Sequence, residues 1–103
     1  MNRGEVWWVE RPDAARRPFL VLSRDSALPV VNEVIAVPAT RVARGLPIEV
    51  PLGRDDGMPT ECVLSLDNLD LVAKVYFRKR ITRLSPDRMR QTCAALALAV
   101  GCE

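Results

Sequence analysis

Three places in the sequence combine side-chain types suited to acting on a phosphate group. Arg17 stands before Pro18 at the mouth of the apolar run Phe19-Leu20-Val21-Leu22-Ser23, its backbone stiffened by the proline. Thr40 closes Val37-Pro38-Ala39-Thr40, and Arg41 and Arg44 follow in a loop that ends at Gly45. Asp67-Asn68 ends the run that starts at Cys62. Together they offer forked cations, a hydroxyl and a carboxylate. Arginine's planar donor fork matches phosphate oxygens two at a time, and 13 of the 15 basic residues are arginine. Histidine is absent, which removes the commonest general acid–base and the commonest metal ligand. By spacing alone, a strand-end ion pair is the simpler role for Arg17, and an ordinary turn hydroxyl the equal alternative for Thr40.

These residues need elements to hold them. Glu5-Val6-Trp7-Trp8-Val9 is β-branched and aromatic and reads as a first strand. Trp7 and Trp8 then point to opposite faces, one into the core and the other toward a groove or a subunit contact. Phe19 to Ser23 is a continuous apolar run, the pattern of a strand buried on both faces. Further strands are expected at Val34–Val37, at Ile48–Leu52 with Pro51 marking an edge, at Cys62–Leu66 and at Ile81–Leu84. Gly53 to Pro59 is a turn cluster. The period then changes: Ser85 is a good N-cap, Pro86 suits the first helical position, and Leu84 with Met89 has the spacing of a hydrophobic staple. Met89, Cys93, Leu96, Ala97 and Val100 form the expected apolar stripe, and Gly101 ends the helix. Five or six short strands and one C-terminal helix predict a mostly β fold, a small barrel or rolled sheet whose strand ends converge on one rim.

At 103 residues the chain fits one domain over 1–103 and has no room for both a core and a deep cavity, so a site belongs on a surface groove or between subunits. No apolar run reaches membrane-span length and Met1 to Gly4 lead straight into a strand, so a cytoplasmic location is expected. Cys62, Cys93 and Cys102 are odd in number, share no metal-ligand spacing and read as reduced, packed thiols. Neither a metal nor a cofactor is expected.

Taken in order, these segments resemble the MazF/PemK family of toxin ribonucleases. The resemblance rests on Arg3-Gly4-Glu5-Val6-Trp7, Arg17 to Ser23, Val34 to Thr40, Arg44-Gly45-Leu46-Pro47-Ile48-Glu49-Val50 and Asp67-Asn68, and it spans nearly the whole chain. Each motif is weak alone, but their order and spacing are specific. The resemblance implies a small SH3-like β-barrel of the MazF/PemK/CcdB type that forms a homodimer. It also implies a type II toxin endoribonuclease, with Arg17 and Thr40 as catalytic residues, Arg44 as a basic loop residue near RNA, and Asp67 as the acidic position used in some members. Asn68 stands where many members have glutamine, and Ser65 where a close class has arginine.

Metal-free cleavage of RNA uses the substrate's 2′-hydroxyl as nucleophile. Arginine keeps its proton, so Arg17 fits an acid or electrostatic role on the phosphorane, aided by a Thr40 hydrogen bond. Asp67 and Glu10 both remain open as the base. Lys74, Arg78, Lys79, Arg80 and Arg83 surround Tyr76 and Phe77, an interleaving that suits single-stranded RNA as well as a solvated strand edge. With Arg41, Arg44 and Asn68 they define the expected RNA groove. The resemblance implies a MazE-like antitoxin, and a groove so lined suits one whose acidic C-terminal segment folds on binding and competes with RNA. Two other readings stand beside this one: a gyrase-poisoning toxin of the same fold, and a non-catalytic RNA-binding barrel.

Overall fold

The computed structural model describes residues 1–102. Glu103, the last residue of the expected 1–103 domain, lies outside the described residues. Strands β1 (Glu5–Val9), β2 (Arg17–Val21), β3 (Glu33–Thr40), β4 (Glu49–Leu52), β5 (Cys62–Ser65), β6 (Asp70–Ala73) and β7 (Phe77–Arg83) precede helix α1 (Pro86–Val100). Short 3-10 turns occupy Arg54–Asp56, Leu66–Asn68 and Lys74–Tyr76. All pairings are antiparallel, in the order β4-β5-β3-β2-β1-β7, with β6 also on β3. The fold is mostly β with one C-terminal helix, as expected.

Three expectations need correction. The barrel does not close, because β4 and β7 end the path unpaired with each other. The sheet has 7 strands, one more than the upper expectation: Asp70-Leu71-Val72-Ala73 is too short and too weakly alternating to stand out, and becomes a strand only because β3 offers an edge. The last strand also starts at Phe77, four residues before Ile81, since its basic residues hide the pattern while β1 supplies the ladder.

β3 is the hub. One edge pairs Ala36, Val37 and Pro38 with β2, while the other serves β6 from Glu33 to Ala36 and then β5 at Ala39 and Thr40. Val37 and Pro38 have no partner on that second edge, which is where a residue lacking an N–H costs the ladder least. Pro51 lies on the edge strand β4, as its type demands.

The central strands are buried on both faces, which explains the unbroken apolar run after Pro18. Val6, Leu20, Val37, Leu52, Leu64 and Leu66 form one core under α1. Val9, Phe19, Val21, Val34, Val72 and Phe77 form a second on the opposite face, covered by Leu28 and flanked by half-buried Trp7. The sheet therefore carries apolar packing on each side, and only strand ends and loops remain for polar work.

α1 starts as predicted: the Ser85 hydroxyl accepts the Arg88 N–H at 3.2 Å, and Leu84 and Met89 pack in the same core. Gly101, at φ +74°, closes it. Its buried face is rotated from the expected stripe. Thr92 and Ala95 make the closest contact, with Met89, Leu96 and Ala99 beside them, while Cys93 and Val100 are exposed. Thr92 manages burial by donating its hydroxyl to the Arg88 carbonyl at 2.8 Å. The expectation of packed thiols likewise fails for Cys93 and Cys102, which are exposed, and holds only in part for half-buried Cys62. Among the described residues, no helix is long and apolar enough to cross a membrane.

Candidate active site and nucleic-acid interface

Arg17 is the first residue of β2 and Thr40 the last of β3. Phe19 pairs with Pro38, and continuing that register by two residues sets Arg17 opposite Thr40. The two meet at the sheet rim because antiparallel neighbours bring the start of one strand to the end of the next. They line two adjoining grooves. The larger, about 470 Å³, adds Trp8, Pro18, Met58, Cys62 and the arginines Arg16 and Arg41. The smaller, about 140 Å³, adds Arg44, Glu49, Ser65 and Asn68.

The arginines of the chain are unevenly committed. Arg11 pairs with Asp70 at 2.8 Å, Arg88 with Asp56 at 2.8 Å, and Arg90 with Asp87. Arg80 approaches Glu5 at 3.6 Å and Arg16 approaches Glu10 at 4.0 Å. No ion pair among the described residues involves Arg17, Arg41 or Arg44. The strand-end salt bridge that spacing favours for Arg17 is therefore not formed. Its guanidinium stands exposed beside a hydroxyl, free to take a phosphate.

Thr40 is also poised. Its Oγ1 accepts the backbone N–H of Val42 at 3.3 Å, the turn hydrogen bond expected of it. A hydroxyl that accepts locally still has its own proton to give, so Thr40 can donate to an anionic oxygen in the groove.

Glu49 was not anticipated as part of the site. It is the one carboxylate lining either groove among the described residues. Both its oxygens accept the Arg44 N–H, at 3.0 and 3.1 Å, and one accepts the Leu46 N–H at 3.1 Å. The Leu46 N–H foremost, then those of Arg44 and Gly45 and the Arg44 charge, outweigh desolvation and hold its carboxyl below the ordinary glutamate range. Glu49 is thus a loop clamp, its carboxylate committed to backbone N–H groups and a poor base. The signal for it lay in its position, three residues after Leu46 and five after Arg44 in an otherwise apolar, Gly-Pro loop.

The remaining expected site residues divide. Asn68 lines the smaller groove, where its amide nitrogen donates to Ser65 Oγ at 2.8 Å. Asp67, in the same 3-10 turn, is exposed and lines neither groove. Glu10, the other candidate base, also lines neither. Lys79 is exposed on β7, opposite Trp8 in register, with Arg78 beside it in sequence, and neither lines a groove itself. Arg80 is drawn instead to buried Glu5.

Lys74 belongs elsewhere. Its ammonium donates to the Leu28 carbonyl, and its backbone joins Asn32 just before β3. Ala73 pairs with Glu33, seven residues from Thr40 along β3 and so about 23 Å away at ~3.3 Å per residue. The expected continuous basic groove from Lys74 to Arg83 is not formed. Its first member caps the opposite end of the sheet.

Among the described residues no three His, Cys, Asp or Glu side chains group as a metal site would need. What the rim offers is anion binding: unpaired guanidinium groups, a donating hydroxyl, and grooves on either side.

Known proteins share both the chain and the fold. Over 103 residues it is 40% identical to the probable endoribonuclease MazF2 of Mycobacterium tuberculosis, covering 99% of this chain and 100% of that one. It is 42% identical over 101 residues to the probable endoribonuclease MazF5 of the same species, covering 97% and 93% of the two chains. A chain of the MazE–MazF crystal structure from Deinococcus radiodurans superposes with a TM-score of 0.83 at 25% identity, covering 100% of this chain and 97% of that one. Residues 2–100 match the family model of the PemK-like, MazF-like toxins of type II toxin–antitoxin systems. With an unpaired arginine and a threonine held across the β2–β3 rim and relatives of this identity over the full chain, the protein belongs to that family.

Proposed function

We propose that this chain is the toxin of a type II toxin–antitoxin pair, an endoribonuclease that cuts single-stranded RNA without a metal and so halts translation. The observation that carries this reading is Arg17, in no ion pair among the described residues, standing opposite Thr40 at the rim between two grooves. The substrate's 2′-oxygen attacks the adjacent phosphorus and the bond to the 5′-oxygen breaks, leaving a 2′,3′-cyclic phosphate and a 5′-hydroxyl. One proton leaves the 2′-hydroxyl and one joins the departing 5′-oxygen, so the step needs no net proton. Negative charge gathers on the phosphorane oxygens between these events. Arg17 meets it with a forked cation and Thr40 with its free O–H, both held by strand ends and needing little reorganisation. Arg41, Arg44 and Asn68 line the path of the RNA, and Arg78 and Lys79 extend it along β7.

The domain acts in the cytoplasm as a homodimer, as its family membership supports. Its antitoxin is MazE-like, with an acidic C-terminal segment that lies along the same unpaired arginines. The relative in the MazE–MazF structure supports this partner. The deciding experiment is cleavage of a single-stranded RNA by purified protein in excess chelator, with fragment ends read by mass spectrometry. Cyclic phosphate and 5′-hydroxyl ends are expected. A 5′-phosphate, or activity lost to the chelator, overturns the scheme; no cleavage at all favours a binding protein. Titrating the antitoxin against a bound fluorescent RNA tests the shared groove: RNA should leave, less readily at higher salt.

A further inference from the structure

The larger groove is bigger and more apolar than holding a phosphate requires. Beyond Arg17 and Thr40, its walls are the indole of Trp8, the ring of Pro18, Met58 and Cys62, within about 470 Å³. Met58 is 3% exposed and backs the groove from the core. Burial foremost, with Glu61 and Asp56 adding, pushes the Cys62 thiol up, so it presents a neutral S–H. The indole already carries a planar group: the Arg16 guanidinium lies over it, 4.2 Å from the ring centroid. That cation is only loosely tied elsewhere, 4.0 Å from Glu10 with both side chains about half exposed. A ring face that stacks a planar cation in the free protein is a face open to exchange for another planar group.

The smaller groove differs in kind. Its lining of Arg44, Glu49, Ser65 and Asn68 is polar, and at about 140 Å³ it is a third of the size. Because Arg17 and Thr40 belong to both, an RNA strand with its scissile phosphate on them sends its neighbouring nucleotides to opposite sides. Only the larger side offers an aromatic face and an apolar floor. Bases stack on aromatic rings and on arginine planes alike.

We propose that the larger groove seats one nucleobase beside the scissile phosphate, stacked on Trp8 in place of the Arg16 guanidinium, and so sets one position of the cleaved sequence. This rests on the ribonuclease reading of Arg17 and Thr40. The displaced guanidinium turns outward to the RNA backbone, next to Arg41. Thr60, exposed at the groove mouth, is the side chain placed to read the edge of the base.

The test is cleavage of a randomised RNA pool by the full chain, with cut sites sequenced and KM and kcat measured on the preferred sequence. Wild-type cleavage establishes the underlying activity independently of the variants. Trp8→Ala should erase base preference at one position next to the cut and raise KM on the order of 10-fold. Trp8→Phe should keep the preference with weaker binding. Thr60→Trp, made at an exposed position that tolerates the change in folding, should fill the groove and abolish the same preference. Arg16→Ala should leave the preference and lose only salt-sensitive affinity. If wild type cuts RNA while Thr60→Trp and Trp8→Phe retain wild-type KM and preference at every position, the groove holds no base and the proposal falls. A preference lost only away from the cut overturns it equally.

Discussion

The Glu5 carboxylate, on a residue 6% exposed, accepts the indole N–H of Trp7 two residues along its own strand at 3.0 Å. The Asn2 N–H reaches the same oxygen at 2.9 Å, and the Arg80 guanidinium stands 3.6 Å from the other. A buried charge so surrounded is fully used, and it ties the N-terminus, β1 and β7 together at the end of β1 remote from Arg17.

Stability should therefore depend on this carboxylate being ionised. Burial alone would raise its pKa, but the Asn2 and Trp7 N–H groups, the N-terminal ammonium and Arg80 together hold it below the ordinary value. Its folded pKa lies below its unfolded one, so its contribution is complete above the unfolded value. It is lost as pH falls through the folded one. Glu5→Ala should cost about 1–3 kcal/mol at neutral pH, and Glu5→Gln less because an acceptor oxygen remains. Both variants should flatten the acid limb of thermal melts recorded against pH; an unchanged limb would assign acid loss to other groups.

At the rim, Arg17→Ala and Thr40→Ala should each lower kcat/KM by roughly 10²-fold or more while leaving melting within a few degrees of wild type. Arg17→Lys should recover little, because a lysine offers one point charge where a fork is needed. Growth arrest on expression should be lost in parallel. Near-normal cleavage by either folded alanine variant removes that residue from the chemistry.

The basic residues should separate by place. Arg44→Ala and Lys79→Ala should each weaken RNA binding and reduce the slope of log affinity against log salt by about 1. Lys74→Ala should leave both unchanged, since its ammonium serves the Leu28 carbonyl at the far end of β3. Binding isotherms at three salt concentrations decide it. A loss with Lys74→Ala equal to that with Lys79→Ala would mean the RNA path runs the length of the sheet.

Gly57 precedes Met58 of the larger groove and packs against Thr82. It sits at φ +88°, and a Cβ there would lie 2.3 Å from Thr82 Oγ1 and 2.8 Å from Thr82 Cβ. The same Thr82 hydroxyl donates to the Asp56 carbonyl at 2.9 Å. Gly57→Ala should destabilise by about 1–3 kcal/mol through the left-handed backbone alone, with the Thr82 contact adding to it. Denaturant midpoints measure this. Gly57→Ala combined with Thr82→Ser, which leaves the clash in place, should recover nothing, whereas Thr82→Gly should recover part.

Much of this was legible in the sequence because it is local. The Ser85 cap, the Leu84–Met89 staple, the edge proline at Pro51 and the doubly buried run after Pro18 each follow from a few neighbouring residues. So do the motifs that placed Arg17 and Thr40. The failures share a cause, dependence on distant partners. β6 exists because β3 has a free edge, and the α1 face is chosen by what Thr92 meets beneath it. Lys74 is spent on a carbonyl 46 residues away in sequence. Glu49 is the exception, a local clamp three residues after Leu46 and five after Arg44, passed over because its partners are backbone N–H groups rather than charges.

The clamp at Glu49 has a consequence for how such a protein diversifies. Arg41 to Pro47 is exposed throughout, and one carboxylate gathers its N–H groups without regard to the side chains they carry. Replacing those side chains re-cuts the wall of the smaller groove while the β2–β3 register, and the pair at its rim, stays where it is. The loop wall of the smaller groove and the Arg17–Thr40 pair therefore sit on separable pieces of backbone. Seven exposed loop residues can thus change their side chains while the β2–β3 rim they adjoin keeps its register.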